Sequence, residues 1–414
     1  MIDCLRFFLN KGRKLSSLAE QVLVSGGNFL TIAICAHSLP LAEQGKLTYT
    51  FASYMALLLM NIGGIFQGAA VRAPAQQRNS YQISLARLQI LQALSLSILV
   101  CAVWLGAGHV LGWQATAIEV MLLFTFLVVQ QLAEFDRRSA YIFSGTKRAI
   151  YSSTVLYPFR IIGLFIIRPE TVGQVLLILI VSALIPAVLT ILVAGRARSE
   201  SVQSWIKATK AHLKYSLLFI VGAPLGWLWA YIPIFMLGSM HGKEQVALLA
   251  SIRGISNIAN VLMEQVETKV AANWARIQHQ NGAQVLEMEV SRLLSIGAIF
   301  WFAGMSVIWM FGQEIVVFIL GGLYAKHWAL LPIGWFAYGI YSLARIFGIK
   351  HRTLGSNYVE FVGGIFGAAT AVVAGFVLIP VSGAVGAAWV YVIIGIVILI
   401  TQMLIFRGGR MAAK

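Results

Sequence analysis

The run FVGGIFGAATAVVAGFVLIPVSGAVGAAWVYVIIGIVILITQMLIF, from Phe361 to Phe406, contains 46 residues and no charged side chain. A helix needs about 20 apolar residues to cross the hydrocarbon core of a bilayer. The run is therefore long enough for two helices, and the stretch IPVSG at 379–383 is typical of a turn between them. This part of the chain predicts a pair of membrane-spanning helices.

Similar apolar segments recur along the rest of the sequence. Segments without a charged residue lie at 48–71, 88–118, 171–195, 215–242, 293–313 and 327–344. Four more carry isolated ionisable residues, at about 16–37, 117–135, 149–167 and 245–268. Charged residues make up only 11% of the chain, whereas about a quarter of the residues of a soluble domain are charged. We therefore predict an all-α polytopic membrane protein with twelve transmembrane helices.

The placement of the basic residues predicts the orientation of these helices. If the N-terminus is cytoplasmic, the segments on the inner side hold 25 of the 31 lysines and arginines and the outer loops hold 4. Such an excess on the inner side is the usual determinant of membrane orientation. We predict an inner (plasma) membrane protein with both termini in the cytoplasm. The net charge of +16 then faces membrane lipids, which argues against a nucleic-acid partner.

The most basic of the inner segments is RARSESVQSWIKATKAHLK, at 196–214. It separates six predicted helices from the six that follow. We therefore predict an N-terminal six-helix lobe at 1–195, a cytoplasmic linker at 196–214 and a C-terminal six-helix lobe at 215–414. Two such bundles around a central cavity are an arrangement in which one half moves against the other.

The composition also argues against an enzyme. The chain contains only two aspartates, Asp3 and Asp136, and its three cysteines show no C-x-x-C spacing. No nucleophile-elbow, metalloprotease or EF-hand pattern is present, and GSMHGK at 238–243 is too short for a phosphate-binding loop. We expect no catalytic residue, no metal and no cofactor.

The eighth predicted helix carries a polar stripe. Arg253, Asn257, Asn260, Glu264 and Glu267 are spaced 4, 3, 4 and 3 residues apart, so they fall within an arc of about 80° on a helix. A centred arginine costs roughly 2.5–3.5 kcal/mol on membrane-insertion scales and usually has a functional reason. We predict that the first three bind substrate and that Glu264 lines the cavity. The alternatives are a static interface for the arginine and interfacial snorkelling for the two glutamates.

Other intramembrane polar residues extend this predicted surface. Arg160 follows Pro158 in the fifth helix, where a kink frees backbone groups and can open local space. We predict Arg160 as a further substrate-binding residue. Polar residues on the first two helices are predicted to line the cavity: Gln21, Asn28, Asn61 and Gln67. Small polar residues also hold membrane helices together, and this alternative remains open for them.

Two short stretches carry a family resemblance. QLAEFDRR at 131–138, followed by YIFSGTKR at 141–148, resembles the loop between the fourth and fifth spans of bacterial polysaccharide-biosynthesis membrane proteins. ASIR at 250–253 is similar to the start of their eighth span. With its 6+6 topology, the chain resembles the polysaccharide flippases of the multidrug/oligosaccharidyl-lipid/polysaccharide exporter superfamily. The first helix differs from that of cation-coupled relatives, because Glu20 lies near its cytoplasmic end rather than mid-membrane.

The resemblance implies two lobes around a V-shaped cavity and a lipid-linked oligosaccharide substrate. The protein would flip this polyprenyl diphosphate from the cytoplasmic to the outer leaflet by alternating access, for O-antigen of lipopolysaccharide or for exopolysaccharide, alongside other polysaccharide-assembly proteins. Arg253 and Arg160 would attract the diphosphate, because a guanidinium pairs with phosphate oxygens and stays charged. Asparagines would bind sugar hydroxyls: Asn257, Asn260, Asn28 and Asn61.

The main alternative is a multidrug or small-solute secondary exporter of the same fold. Cationic drugs would favour carboxylates at the membrane midplane, where this sequence has arginines instead. A carrier of the major facilitator type is a weaker alternative, because the loop at 72–78 lacks the acidic-plus-glycine motif usual in that class.

Overall fold

A computed structural model describes residues 13–67, 69, 78–110, 116–196, 202–354, 356 and 358–412. In this part of the chain every regular element is helical and no strand occurs. The helices, numbered in chain order, are α1 (Arg13–Ser38), α2 (Leu41–Asn61), α3 (Arg78–Val110), α4 (Ala117–Phe143), α5 (Thr146–Ile167), α6 (Val172–Gly195), α7 (Val202–His241), α8 (Lys243–Leu320), α9 (Leu330–Thr353) and α10 (Tyr358–Ala412). A π-helical turn, Ile62–Gln67, extends α2, and a 3₁₀ turn, Gly322–His327, precedes α9.

The two longest helices contain breaks at glycines. α10 has 55 residues and is interrupted at Gly383, where φ is 54° and ψ is −129°. A side chain strains this left-handed conformation, and glycine adopts it readily. The predicted turn at 379–383 is therefore confirmed. In α8, which has 78 residues, Gly282 has a φ of 82° and breaks the helix in the same way.

These breaks give the number of membrane-spanning segments. Within the described residues, ten helices are long and apolar enough to cross a membrane, and two of them, Asn273–Leu320 and Tyr358–Ile405, have 48 residues each. Gly383 divides the second into two spans, whereas Gly282 lies only nine residues into the first, which leaves too short a piece before it for a further span. The charged first part of α8 (243–272) is not among the ten, and it is the predicted eighth span. Length and composition thus give eleven spans, and the predicted eighth span, which is helical, brings the count to the predicted twelve. The predicted all-α class is confirmed.

The chain divides into two compact units, Met1–Pro224 and Leu225–Lys414. Helix α7 contributes to both of them, because the division falls at Pro224 inside this helix. Residues 202–214, the second part of the predicted linker, form the start of α7. The predicted lobe boundaries at 195 and 215 stay predictions.

The connection between α4 and α5 is shorter than the sequence predicts. The fourth span was expected to end near residue 135, whereas α4 continues to Phe143 and α5 begins at Thr146. Only Ser144 and Gly145 lie between the two helices, and Gly145 has a φ of 92°. The charged residues at 136–138 are therefore helical. They can lie at membrane depth because carboxylates on neighbouring turns and helices pair with the arginines among them.

Helices α1 and α5 approach closely at Gly27. A Cβ atom built at Gly27 would lie 2.4 Å from Cδ1 of Tyr157, whereas a Cβ at the neighbouring Gly26 would meet nothing within 4 Å. Overfilling a packed interface costs about 1–3 kcal/mol. Alanine at an unobstructed helical glycine gains up to about 1 kcal/mol of helix propensity.

We therefore expect Gly27→Ala to lower the unfolding temperature of the purified protein and Gly26→Ala to leave it unchanged or raise it. Thermal unfolding in one detergent measures both variants. Equal unfolding temperatures for the two would show that α1 and α5 do not pack at this position.

Candidate functional site

Arg253 is held by three neighbouring helices of the second unit. It lies ten residues after the first residue of α8, or about 15 Å along the helix axis. Its Nε donates a hydrogen bond to the Tyr338 hydroxyl of α9 at 3.1 Å. Its Nη1 donates to the Tyr391 hydroxyl of α10 at 2.8 Å and to the Ala230 carbonyl of α7 at 3.1 Å. The Tyr391 hydroxyl donates in turn to that carbonyl at 2.8 Å.

The surroundings of Arg253 fix the guanidinium without neutralising it. Its centre lies 4.2 Å from the centroid of the Tyr391 ring and 5.9 Å from that of Tyr338. Phenol rings, hydroxyls and a backbone carbonyl carry no formal charge. In the part of the chain that the structure describes, no carboxylate pairs with Arg253. The residue is partly exposed, and its positive charge is held in a fixed orientation.

An aromatic row lies on α7 in the same unit. Trp227 stacks on Tyr231 with ring centroids 5.9 Å apart and contacts Phe235 at 5.7 Å. The spacing of four residues places the three rings on one side of the helix. Trp229, on another side, contacts Tyr341 of α9 at 5.0 Å. The second unit thus combines a fixed cation with flat apolar surfaces.

Arg160 has a comparable environment in the first unit, on α5. Its Nη1 donates to the Asn28 side chain of α1 at 3.3 Å and its Nη2 to the Gln130 side chain of α4 at 3.1 Å. The guanidinium lies 5.0 Å from the centroid of the Tyr157 ring. The residue is 5% exposed, and its Nε has no hydrogen-bond partner. Among the described residues the partners of Arg160 are all uncharged, as for Arg253.

The other buried charges of the first unit are paired. Arg137 bonds Glu20 of α1 at 2.7 Å and Glu134, one turn earlier in α4, at 2.5 Å. Glu134 also pairs with Arg138, and Glu20 accepts from the Ser153 hydroxyl at 2.9 Å. We call Glu20, Glu134, Arg137 and Arg138 the α1–α4 ion cluster. Its two carboxylates balance its two guanidinium groups.

Further ion pairs follow the same pattern. Asp136 of α4 pairs with Arg148 of α5 at 2.8 Å. In the second unit, Lys350 pairs with Glu287 at 2.7 Å. Glu267 pairs with both Arg345 and Arg352, and Arg352 also pairs with Glu360. Arg253 and Arg160 differ from all of these because neither has a carboxylate partner in the described chain.

The structure places the other predicted residues as follows. Asn28 is exposed and bonds Arg160, so these two predicted residues do come together. Gln21 is partly exposed and donates to Ser25 at 3.1 Å, and Gln67 is exposed at the end of the π-helical turn. Asn257, one turn beyond Arg253, is partly exposed. The side chains of Asn260 and Glu264 lie outside the described residues.

Asn61 requires a correction. It was predicted to line a cavity, but it is 0% exposed. Its side-chain amide donates to Gln131 of α4 at 3.1 Å, and Gln131 donates to Ser97 of α3 at 3.1 Å. This chain of amides and a hydroxyl joins α2, α4 and α3 inside the first unit. Asn61 therefore holds helices together, which is the alternative that the sequence left open.

Three partners of the two arginines were not predicted: Tyr338, Tyr391 and Gln130. The two tyrosines lie in long charge-free runs, and Gln130 lies in the predicted fourth span. A glutamine or tyrosine inside an otherwise apolar helix is the available signal, since a buried amide or hydroxyl needs a hydrogen-bond partner.

Solved structures with this fold are transporters. Neither a family model nor a curated protein matches the sequence. A multidrug resistance MATE family transporter of the MOP superfamily, in an inward-facing conformation, has a TM-score of 0.68 and 14% identity, covering 97% of this chain and 94% of that one. Lipid II flippase MurJ, in an inward closed conformation, has a TM-score of 0.72 and 12% identity, covering 95% and 87%. The Vibrio cholerae MATE transporter VcmN has a TM-score of 0.64 and 12% identity, covering 95% of each chain.

This chain has the fold of the MOP-superfamily transporters. The resemblance to that superfamily, predicted from short sequence stretches and topology, is confirmed at the level of the fold. The multi-pass membrane character is confirmed as well. The assignment to polysaccharide flippases within the superfamily stays a prediction.

Proposed function

We propose that this MOP-fold protein is a flippase for oligosaccharides linked to polyprenyl diphosphate. It moves them from the cytoplasmic to the outer leaflet of the inner membrane by alternating access, for surface polysaccharide biosynthesis, with both of its termini in the cytoplasm. The observation that carries the proposal is Arg253, an oriented cation on a partly exposed residue, with no carboxylate partner among the described residues.

The chemistry of Arg253 supports an anionic headgroup. A guanidinium inside a membrane protein is costly unless a partner compensates it. The ordinary solution, a paired carboxylate, is used at the α1–α4 ion cluster but not here. A diphosphate supplies the missing negative charge, and its oxygens match the planar fork of the guanidinium. Tyr338 and Tyr391 fix the plane of that fork in advance.

Neutral polar side chains near the two arginines are suited to binding the sugar part of the proposed substrate. Asn257 lies one turn from Arg253 and is partly exposed, where its amide can bond sugar hydroxyls. In the first unit, Asn28 is exposed beside Arg160. Arg160 and Asn28 stay proposed substrate-binding residues of the first unit. Transport rather than catalysis is the proposed activity, and the transporters and the flippase that share the fold support it.

Export of lipophilic drugs is the second candidate. The aromatic row of Trp227, Tyr231 and Phe235 favours it, because flat rings bind lipophilic organic molecules. Two of the structural neighbours are transporters of the MATE family. The two candidate functions differ in the charge of the substrate. Arg253 attracts a diphosphate and repels a cationic drug.

A binding measurement separates the two candidates. We expect the full-length protein in nanodiscs to bind a short-chain polyprenyl-diphosphate oligosaccharide more tightly than ethidium, a lipophilic cation. Arg253→Gln should weaken diphosphate binding by about tenfold or more, since hydrogen bonds to charged groups contribute roughly 1.5–3 kcal/mol each. The matched control is Arg276→Gln, an exposed arginine of the same helix whose partner is Asn273. Tight ethidium binding that Arg253→Gln strengthens would favour drug export instead.

A further inference from the structure

A cleft opens on the first unit where α7 begins. Its described lining residues are Arg87, Ile90 and Leu91 of α3 and Trp205 of α7, and its volume is about 280 Å³. Arg87 Nε donates to the Ala194 carbonyl near the end of α6 at 3.1 Å. Trp205 Nε1 donates to the Ser84 carbonyl of α3 at 3.3 Å. Both side chains that carry polar atoms are thus fixed to the backbone, and the described lining of the cleft lies on α3 and α7, with Arg87 also bonded to α6.

The described lining of this cleft carries positive charge. Arg87 is the one ionisable residue among its described lining residues. In sequence, the segment that leads into α7, 196–214, contains five lysines and arginines and a single acidic residue, Glu200. A negatively charged ligand is therefore favoured.

An apolar track leads away from the cleft along α3. Leu91, Leu94 and Ile98 are exposed by 53%, 40% and 60%. Their spacing of three and four residues places them on one face, over a length of about 10 Å. A soluble anion would gain nothing from this track, whereas an acyl chain would cover it.

We propose that the cleft binds an anionic phospholipid, a site separate from that of the transported substrate. The phosphate lies against Arg87, the glycerol region contacts the Trp205 ring, and one acyl chain follows Leu91, Leu94 and Ile98. Tryptophan is enriched at the headgroup level of membranes, and basic pockets between membrane helices bind acidic lipid headgroups. The bound lipid fastens the start of α7 to α3 and α6.

Quenching of tryptophan fluorescence by brominated lipids tests the site. The protein is placed in phosphatidylcholine nanodiscs that contain either brominated phosphatidylglycerol or brominated phosphatidylcholine. We expect stronger quenching by the anionic lipid, and Trp205→Phe should remove most of that difference. Arg87→Gln should weaken the apparent affinity for phosphatidylglycerol by about fivefold, which corresponds to roughly 1 kcal/mol for a basic residue near an anionic surface. Arg276→Gln, remote in sequence, should leave the affinity unchanged.

A second variant tests the site independently in case Arg87→Gln fails to fold. Leu91→Glu puts a carboxylate on the exposed wall of the cleft and should also abolish the preference for phosphatidylglycerol. Leu177→Glu on α6, at the same 53% exposure, should keep it. Equal quenching by both lipids, or a preference that survives Leu91→Glu, overturns the proposal. Displacement of phosphatidylglycerol by a polyprenyl diphosphate also overturns it, because the cleft would then belong to the transported substrate.

Discussion

Arg253→Ala is expected to reduce transport by about a hundredfold or more while the protein remains in the membrane at normal abundance. Two hydrogen bonds from a guanidinium to a phosphate contribute roughly 3–4 kcal/mol together, which is a factor of several hundred in affinity. Arg253→Lys should restore only part of the activity, because an ammonium keeps the charge but loses the planar fork. Flipping of a fluorescent polyprenyl-diphosphate oligosaccharide in proteoliposomes measures the three proteins.

Tyr391→Phe provides the matched control for this experiment. It keeps the ring beneath the guanidinium at 4.2 Å and removes the hydroxyl that accepts from Nη1. The guanidinium keeps its charge but is held less firmly in its orientation. The expected loss of transport therefore lies between those of Arg253→Lys and Arg253→Ala. Full transport in Arg253→Ala would exclude a role in substrate binding. A collapse in abundance would instead assign Arg253 to the static interface that the sequence left as an alternative.

Glu134→Ala is expected to cause a large loss of stability in the first unit. Its carboxylate pairs with Arg137 and Arg138 and is largely buried. Removing one partner from a buried ion pair costs about 3–5 kcal/mol, because the remaining charge stays in a medium of low polarity. Thermal unfolding of the purified protein should show a clear fall, and expression in the membrane should drop as well.

Glu267→Ala is the comparison in the second unit. It also has two arginine partners, Arg345 and Arg352, whose side chains are 22% and 36% exposed, against 11% and 31% for Arg137 and Arg138. Each cluster keeps one other carboxylate, Glu360 or Glu20, so the smaller loss expected for Glu267→Ala follows from the greater exposure of its arginines to water. If Glu134→Ala unfolds no more readily than Glu267→Ala, burial does not control the contribution of these clusters.

The sequence predicted the spans well because the bilayer imposes a simple rule on composition. The break inside the run from Phe361 to Phe406 follows from its length and from the glycine at 383. The end of α4 was wrong because charged residues were assigned to a loop. A count of charges cannot detect that Arg137 meets Glu20, which lies 117 residues earlier.

The candidate site was less accessible to prediction. Helical spacing showed that Arg253 and Asn257 share a face, but not which residues of other helices meet that face. Tyr338 is 85 residues away from Arg253 and Tyr391 is 138 residues away. Asn61 shows the same limit, since a polar residue on one side of a helix can equally face a cavity or a partner such as Gln131.

The pairing of Glu20 with Arg137 has a consequence for synthesis. At about 5–20 residues per second, the ribosome needs roughly 6–23 seconds to add the 117 residues between them. Throughout that interval the first helix carries the Glu20 carboxylate, and its partner Arg137 has not yet been synthesised. Asp136, by contrast, is followed by Arg148 only 12 residues later, within about one or two seconds. Nascent chains that stop before residue 137 therefore keep an unmatched acid in their first helix until α4 emerges.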